Sequence, residues 1–264
     1  MHHRPRKRFG QNFLHDPMVV GRILSAIAPT PGEHLVEIGP GRGAITTRLL
    51  EAAGELDAVE LDRDLLVPLA RTCAGLGTLL IHSADALKLN FYSLAGDGRP
   101  LRVVGNLPYN ISTPLLFHLL DQAACIRDMH FMLQREVVER MAARPGGKDY
   151  GRLSVMLQAF CDVEPLFEIG PGAFNPPPKV YSAFVRLRPL VEPRIPVADR
   201  PMFAQLVAQA FSQRRKTLRN SLRGLLTADE IAQAGVDPGL RPESLDIPRF
   251  SRLARAACKS VPAP

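Results

Sequence analysis

Short apolar runs alternate with stretches of helical spacing along most of the chain. "HLVEIGPGRGAITTRLLEAAG" reads as strand, glycine-rich turn and helix, and "LDAVELDRDLLVPLART" repeats strand and helix. "TLLIHSADALKL" is a strand ending in Ser-Ala-Asp, and "LRVVGNLPYNISTPLLFHLLD" is again strand, loop and helix. "DMHFMLQREVVERMAA" and "GRLSVMLQAFCDVEPLFEI" continue the alternation. "KVYSAFVRLRP", apolar and polar by turns, predicts a late antiparallel edge strand. Strands interleaved with helices imply parallel βαβ units and a doubly wound α/β sheet.

The texture then changes. "RPLVEPRIPVADRP" carries four prolines and reads as a linker. Beyond it, Phe203, Leu206, Val207, Ala210 and Phe211 recur at the spacing of an amphipathic helix, and the remainder is helical with turns at Gly235, Pro238 and Pro248. The pattern predicts an α/β domain over residues 1–188 and a small all-helical domain over 189–264.

Composition narrows the class. The 264 residues are 46% hydrophobic, enough for a sizeable core. No apolar run reaches the ~18 residues of a membrane span. The opening "MHHRPRKRFGQNF" has no apolar stretch of the secretory kind, and Pro5 spoils an amphipathic presequence. The spacing of Cys73, Cys125, Cys161 and Cys258 outlines neither a metal clip nor a disulfide framework, so free thiols in the cytoplasm and no metal are expected. The net charge is +7, and residues 201–264 hold ten Lys and Arg against five Asp and Glu. "FSQRRKTLRNSLRG" has five basic residues and no acid, so Arg214, Arg215, Lys216, Arg219 and Arg223 are candidates for phosphate contacts.

The chemistry is concentrated at the predicted strand ends. Gly39, Gly41 and Gly43 form a G-x-G-x-G turn between strand and helix, where open parallel sheets bind ligands. Glu60 ends the next strand, 19 residues beyond Gly41, placed to accept hydrogen bonds from a ribose diol. Asp85 ends the third strand and can accept from an adenine amine. Glu37 sits just before the turn, where a cationic ligand could be held. S-adenosylmethionine (SAM) matches this acceptor set. At the fourth strand end, "NLPY" places Asn106, Leu107, Pro108 and Tyr109 in a loop framed by Pro108 and by Ser112 or Thr113 as a helix cap. The Asn106 side chain and the Pro108 carbonyl would take both protons of an adenine amine, and Tyr109 would stack on the base.

These pieces, with "KRFGQNFLHD", "VELDRD", "SADAL", "FMLQREVVERM", "YGRLSVM", "FNPPPKV" and "QRRKTLRNSL", resemble in order the ribosomal RNA adenine N6-dimethyltransferases, in particular the small-subunit branch. The resemblance implies a Rossmann-like SAM-dependent methyltransferase sheet with a C-terminal helical domain that contacts rRNA. It implies that Gln11, Asn12 and Leu14 fold over the cofactor, that Gly39 and Gly41 line its methionine part, Glu60 its ribose, and Asp85 with Ala86 its adenine. Asn106 to Tyr109 become the methyl-acceptor site, with Phe174 closing the other face of the base. Phe9 and Phe13 read as packing. The implied reaction is dimethylation of two adjacent adenines in a hairpin near the 3′ end of 16S rRNA, on an immature small subunit, by a monomer. Two other readings are a large-subunit rRNA methyltransferase of the antibiotic-resistance type and an assembly factor that acts by binding. A nicotinamide dehydrogenase shares the glycine turn but has no use for NLPY. The family usually has Asp where this chain has Tyr181, and Arg42 has no evident role.

Overall fold

A computed structural model describes residues 11–213 and 215–260. In chain order it contains β1 (Phe13–Leu14), α1 (Pro17–Ile27), β2 (His34–Ile38), α2 (Thr46–Ala53), β3 (Glu55–Glu60), α3 (Arg63–Thr72), β4 (Thr78–Ser83), α4 (Phe91–Leu94), β5 (Leu101–Asn106), α5 (Ser112–Asp121), β6 (Ile126–Gln134) and α6 (Arg135–Ala142). These are followed by α7 (Arg152–Phe160), β7 (Cys161–Ile169), β8 (Phe174–Asn175), β9 (Ser182–Pro189), α8 (Arg200–Ser212), α9 (Leu218–Ser221), α10 (Ala228–Gln233) and α11 (Ile247–Ser260).

Two compact units result. Residues 11–138 with Glu164–Pro189 form the first, and Glu139–Val163 with the described residues from Leu190 onward form the second. In the first, seven strands lie in the order β4-β3-β2-β5-β6-β9-β7. Strands β2 to β6 are mutually parallel, and β9 runs antiparallel to β6. β2 is buried along its whole length and β5 along all but its last residue, because helices cover both faces of a parallel sheet. The chain winds outward from β2 to β4, then crosses back to β5 and β6 on the other side. The carboxyl ends of β2 and β5 therefore flank the topological switch point, where such sheets bind ligands. Their approach is tight: a Cβ on Gly105 would stand 2.5 Å from the Ile38 carbonyl oxygen, so this position admits no side chain.

Three local expectations change. β9 is antiparallel, as its alternation predicts, but it lies inside the sheet. The edge belongs to β7, whose exposed residues and internal Pro165 suit a strand with one unpaired side. Residues 139–163, grouped by their sequence with the α/β domain, pack with the C-terminal helices. Seven of the nine residues of α7 are buried. Phe160 meets Phe203 of α8 edge-on at 6.3 Å, and the Phe160 and Ala159 carbonyls accept the Leu190 and Arg194 N–H groups at 2.9 Å each. Pro248, expected in a turn, is the second residue of α11, where its missing N–H costs no helical bond. The amphipathic helix is α8, buried through Phe203, Leu206, Val207 and Ala210, with Phe211 stacked obliquely on Phe250 at 5.8 Å.

Candidate active site

The carboxyl ends of β2, β3, β4 and β5 surround a cavity of about 310 Å³, which the Gln11–Leu14 segment walls on one side. The strand-end residues Glu37, Gly39, Gly41, Glu60, Asp85, Ala86 and Asn106–Tyr109 all line it, together with Gln11, Asn12 and Leu14. The N-terminal segment is held there by pairing of β1 with β8, Leu14 opposite Phe174, and by Asp16. That side chain accepts the Met18 and Val19 N–H groups and starts α1, with Pro17 at its first position.

The glycine turn is knitted to the next strand end. The Gly41 N–H donates to Glu60 Oε2 at 3.2 Å, and the Asp62 N–H donates to Glu60 Oε1 at 2.8 Å. Gln11 Nε2 donates to Asp62 Oδ2 at 3.0 Å, which extends the network to the N-terminal wall. Gly41 has φ +59°, and a Cβ there would lie 3.1 Å from the Phe13 ring. The Arg42 guanidinium stands 4.6 Å from the centre of that ring, which gives this residue the role its sequence left open.

Two carboxylates make the cavity receptive to positive charge. Glu37 is 2% exposed and its Oε2 has no hydrogen-bond partner. Burial pushes its carboxyl up to about 7, the Glu60 charge adds to the rise, and neighbouring Thr46 opposes it. Burial likewise raises Glu60, against the backbone N–H groups that hold it down. Backbone N–H groups of Gly41, Leu61 and Asp62 all point at the Glu60 carboxylate, which fixes it at the cavity wall as an acceptor. Asp85 is half-buried, with one oxygen accepting the Leu87 N–H at 3.0 Å.

The acceptor loop is fixed differently from its sequence expectation. Ser112 does not cap α5: its Oγ donates to the Tyr109 carbonyl at 3.1 Å, and the helix begins without a side-chain cap. The Leu107 N–H donates to the Met132 carbonyl at 3.2 Å, and the Ile111 N–H donates to the Pro108 carbonyl at 3.1 Å, leaving that oxygen one lone pair. Asn106 Nδ2 donates to the Asn12 carbonyl at 3.0 Å, which makes its Oδ1 the end left to accept. The Tyr109 hydroxyl and Ser182 Oγ share a hydrogen bond of 2.7 Å, and burial raises the phenol above its ordinary range.

Phe174 does not join this group. It is 2% exposed, sits in the core with Leu14, Val20 and Phe184, and does not line the cavity. The pairing of β8 with β1 sets it opposite Leu14, so the expected second aromatic wall is a residue of the core in this structure. Leu61, Asn110 and Ile111 line the cavity although sequence reasoning did not single them out, and Arg42, which the sequence left without a role, lines it too. Leu61 had a usable signal: an apolar residue directly after a strand-end acid, here half exposed. Among the predicted basic residues Arg215, Lys216, Arg219 and Arg223 are exposed in the second unit, on the loop after α8 and on and after α9. Arg214 and Phe9 lie outside the described residues. All four cysteines are free.

The residues present fit an adenosyl sulfonium ligand. A buried carboxylate with one unpartnered oxygen, a glycine turn and a second carboxylate at the next strand end are acceptors for a cation and a diol. Fold and site together define a SAM-dependent methyltransferase. The chain belongs to the ribosomal RNA adenine dimethylase family, which it matches over residues 2–254. It is 59% identical over 259 residues to the ribosomal RNA small subunit methyltransferase A of Pseudomonas syringae pv. syringae (strain B728a), covering 98% of this chain and 97% of that protein. Among solved structures it resembles a dimethyladenosine transferase from Plasmodium falciparum, with TM-score 0.79, 26% identity, and coverage of 91% of this chain and 95% of the other. It also resembles the 23S rRNA methyltransferase ErmE, with TM-score 0.71, 27% identity, and coverage of 94% and 100%. The cofactor is S-adenosylmethionine, as in the family.

Proposed function

We propose that this enzyme transfers methyl groups to N6 of two adjacent adenines near the 3′ end of small-subunit rRNA, twice on each, acting as a monomer on immature small subunits in the cytoplasm. The relative at 59% identity supports the small-subunit target over the large-subunit one. The observation that carries the chemistry is the orientation of Asn106, whose amide nitrogen is committed to the Asn12 carbonyl.

Bound SAM supplies a methyl group on a positively charged sulfur, which departs as a neutral thioether. Glu37 would face the cationic part of the cofactor, Glu60 would accept from the ribose, Asp85 would accept from its adenine amine, and Leu61 would pack on the ring. At the acceptor end, Asn106 Oδ1 and the free lone pair of the Pro108 carbonyl each accept one hydrogen bond from the target amine. An adenine amine is a poor nucleophile because its lone pair is delocalised into the ring. Two fixed acceptors favour the pyramidal nitrogen, so the work is positioning and preorganised electrostatics. A strong base is not needed, since a nitrogen that has become cationic releases its proton readily. Tyr109, held by Ser182, stacks on the unpaired base that an RNA hairpin offers. Arg215, Lys216, Arg219 and Arg223 contact phosphates.

The test is transfer of labelled methyl from SAM to undermethylated small subunits, followed by mapping of the modified bases. Four methyls per subunit on two neighbouring adenines are expected. Label in large-subunit rRNA, or no label at all, would overturn the assignment.

A further inference from the structure

One exposed aromatic side chain stands beside the acceptor loop without a role in it. Tyr181 is 51% exposed, and its neighbours Lys179 and Val180 are also exposed. It precedes Ser182, which pairs with Gln134 at the carboxyl end of β6. β6 is parallel to β5, with Met132 opposite Asn106, so Tyr181 lies at the same edge of the sheet as the cavity. The next residue along the chain reaches the acceptor loop: Ser182 Oγ is 2.7 Å from the Tyr109 hydroxyl.

The ring is held in place. The Arg135 N–H donates to the Tyr181 carbonyl at 3.0 Å, and the Arg135 guanidinium lies 5.3 Å from the ring centre. That guanidinium also pairs with Glu168 at 3.4 Å. Gly170 lies beside the ring edge: a Cβ there would make ordinary contact with Tyr181 Cε1, at 3.9 Å. A rigid aromatic face backed by a cation, with an exposed lysine two residues away, is what unpaired bases stack on in single-stranded nucleic acid. A buried packing role does not require the exposure, and a protein-binding patch does not require the adjoining acceptor loop.

We propose that Tyr181, backed by Arg135, is a stacking platform for an unpaired RNA base next to the adenine being methylated. The proposal deepens the function above and rests on it. It makes Tyr181 a substrate-positioning residue: the base that follows or precedes the target leaves the hairpin stack and is caught outside the cavity. The aromatic wall that Phe174 does not provide inside the cavity thus has a counterpart at its mouth, for a different nucleotide.

The test compares the wild-type enzyme with Tyr181→Ala, Tyr181→Leu and Tyr181→Phe. Labelled methyl transfer to undermethylated small subunits gives kcat and KM, and filter binding of the same subunits without SAM gives Kd. Tyr181→Ala is expected to raise KM and Kd about 5- to 150-fold, the range that base–aromatic stacking supplies, with kcat and SAM affinity within twofold. Tyr181→Phe is expected to match the wild type, and Tyr181→Leu to resemble the Ala variant, since apolar area without a π face does not stack. A KM and Kd within twofold of wild type in Tyr181→Ala would overturn the platform. So would a loss confined to kcat, which would mean that Tyr181 acts only through Ser182 on Tyr109. The two readings separate cleanly. Wild-type enzyme that binds subunits through Tyr181 yet transfers no methyl refutes the catalytic reading alone, whereas normal transfer by an unaffected Tyr181→Ala refutes the platform alone.

Discussion

Replacing Glu37 by Gln tests whether cofactor binding is tied to a proton. The carboxyl is buried, with one oxygen unpartnered, and burial raises it from 4.5 to about 7. A cationic ligand beside it favours the ionised form, so binding at low pH must first expel the proton. For a group at about 7 that becomes fully ionised in the complex, affinity for SAM is expected to be about tenfold weaker at pH 6 than at pH 8, and flat above pH 8. Titration calorimetry in two buffers of different ionisation heat measures both affinity and protons released. Close to one proton per SAM is expected at pH 6 and few at pH 8. Glu37→Gln is expected to bind more weakly at pH 8 and without pH dependence. Stability should move the other way. Because the folded-state value lies above the unfolded one, the contribution of Glu37 to stability is complete below about 4.5 and is lost as pH rises through about 7. The loss amounts to roughly 3 kcal/mol, so without cofactor the Gln variant is expected to melt higher than the wild type at pH 8. Wild-type affinity equal within twofold at pH 6 and pH 8, with no proton released, would refute the argument.

Asn106→Ala is expected to abolish methyl transfer while subunit binding stays within a few-fold of wild type; retained dimethylation would remove Asn106 from the acceptor role. Gly41→Ala forces an L-residue to φ +59° against the Phe13 ring. It is expected to destabilise the protein by about 1–2 kcal/mol in denaturant unfolding and to weaken SAM binding. Charge reversal at Arg215 and Lys216 is expected to weaken subunit binding most at low salt and to reduce the slope of log Kd against log salt. An unchanged slope would count against phosphate contacts there.

The parallel sheet and the site at its switch point are legible in the chain because both rest on local signals: an apolar run, a glycine turn, an acid at the strand end. What escapes is set by pairings between distant segments. Nothing near Phe174 announces that a two-residue strand will pair with Phe13–Leu14 and turn that ring into the core. The burial of β9 inside the sheet follows from β7 taking the edge, and the Pro165 that marks β7 as an edge strand lies in a different segment from β9. Helix α7 reads as one more element of the alternation. Its apolar faces, however, are matched by α8 and α11, which the sequence places beyond a proline-rich linker. Arg42 and Ser182 acquire roles only through Phe13 and Tyr109, partners that no spacing rule reaches.

The hydrogen bond from Asn106 to the Asn12 carbonyl joins two substrates in one free-energy cycle. The acceptor amide is aimed by a segment that also walls the cavity proposed for the cofactor. Whatever orders Gln11–Leu14 on one side is therefore felt on the other. Coupling of this kind is reciprocal: if SAM tightens the enzyme's hold on a target adenine by some factor, the adenine tightens its hold on SAM by the same factor. Such an enzyme holds its methyl donor most weakly when no RNA is at hand, and captures a fresh donor most readily while a singly methylated base, whose first donor is spent, is still bound.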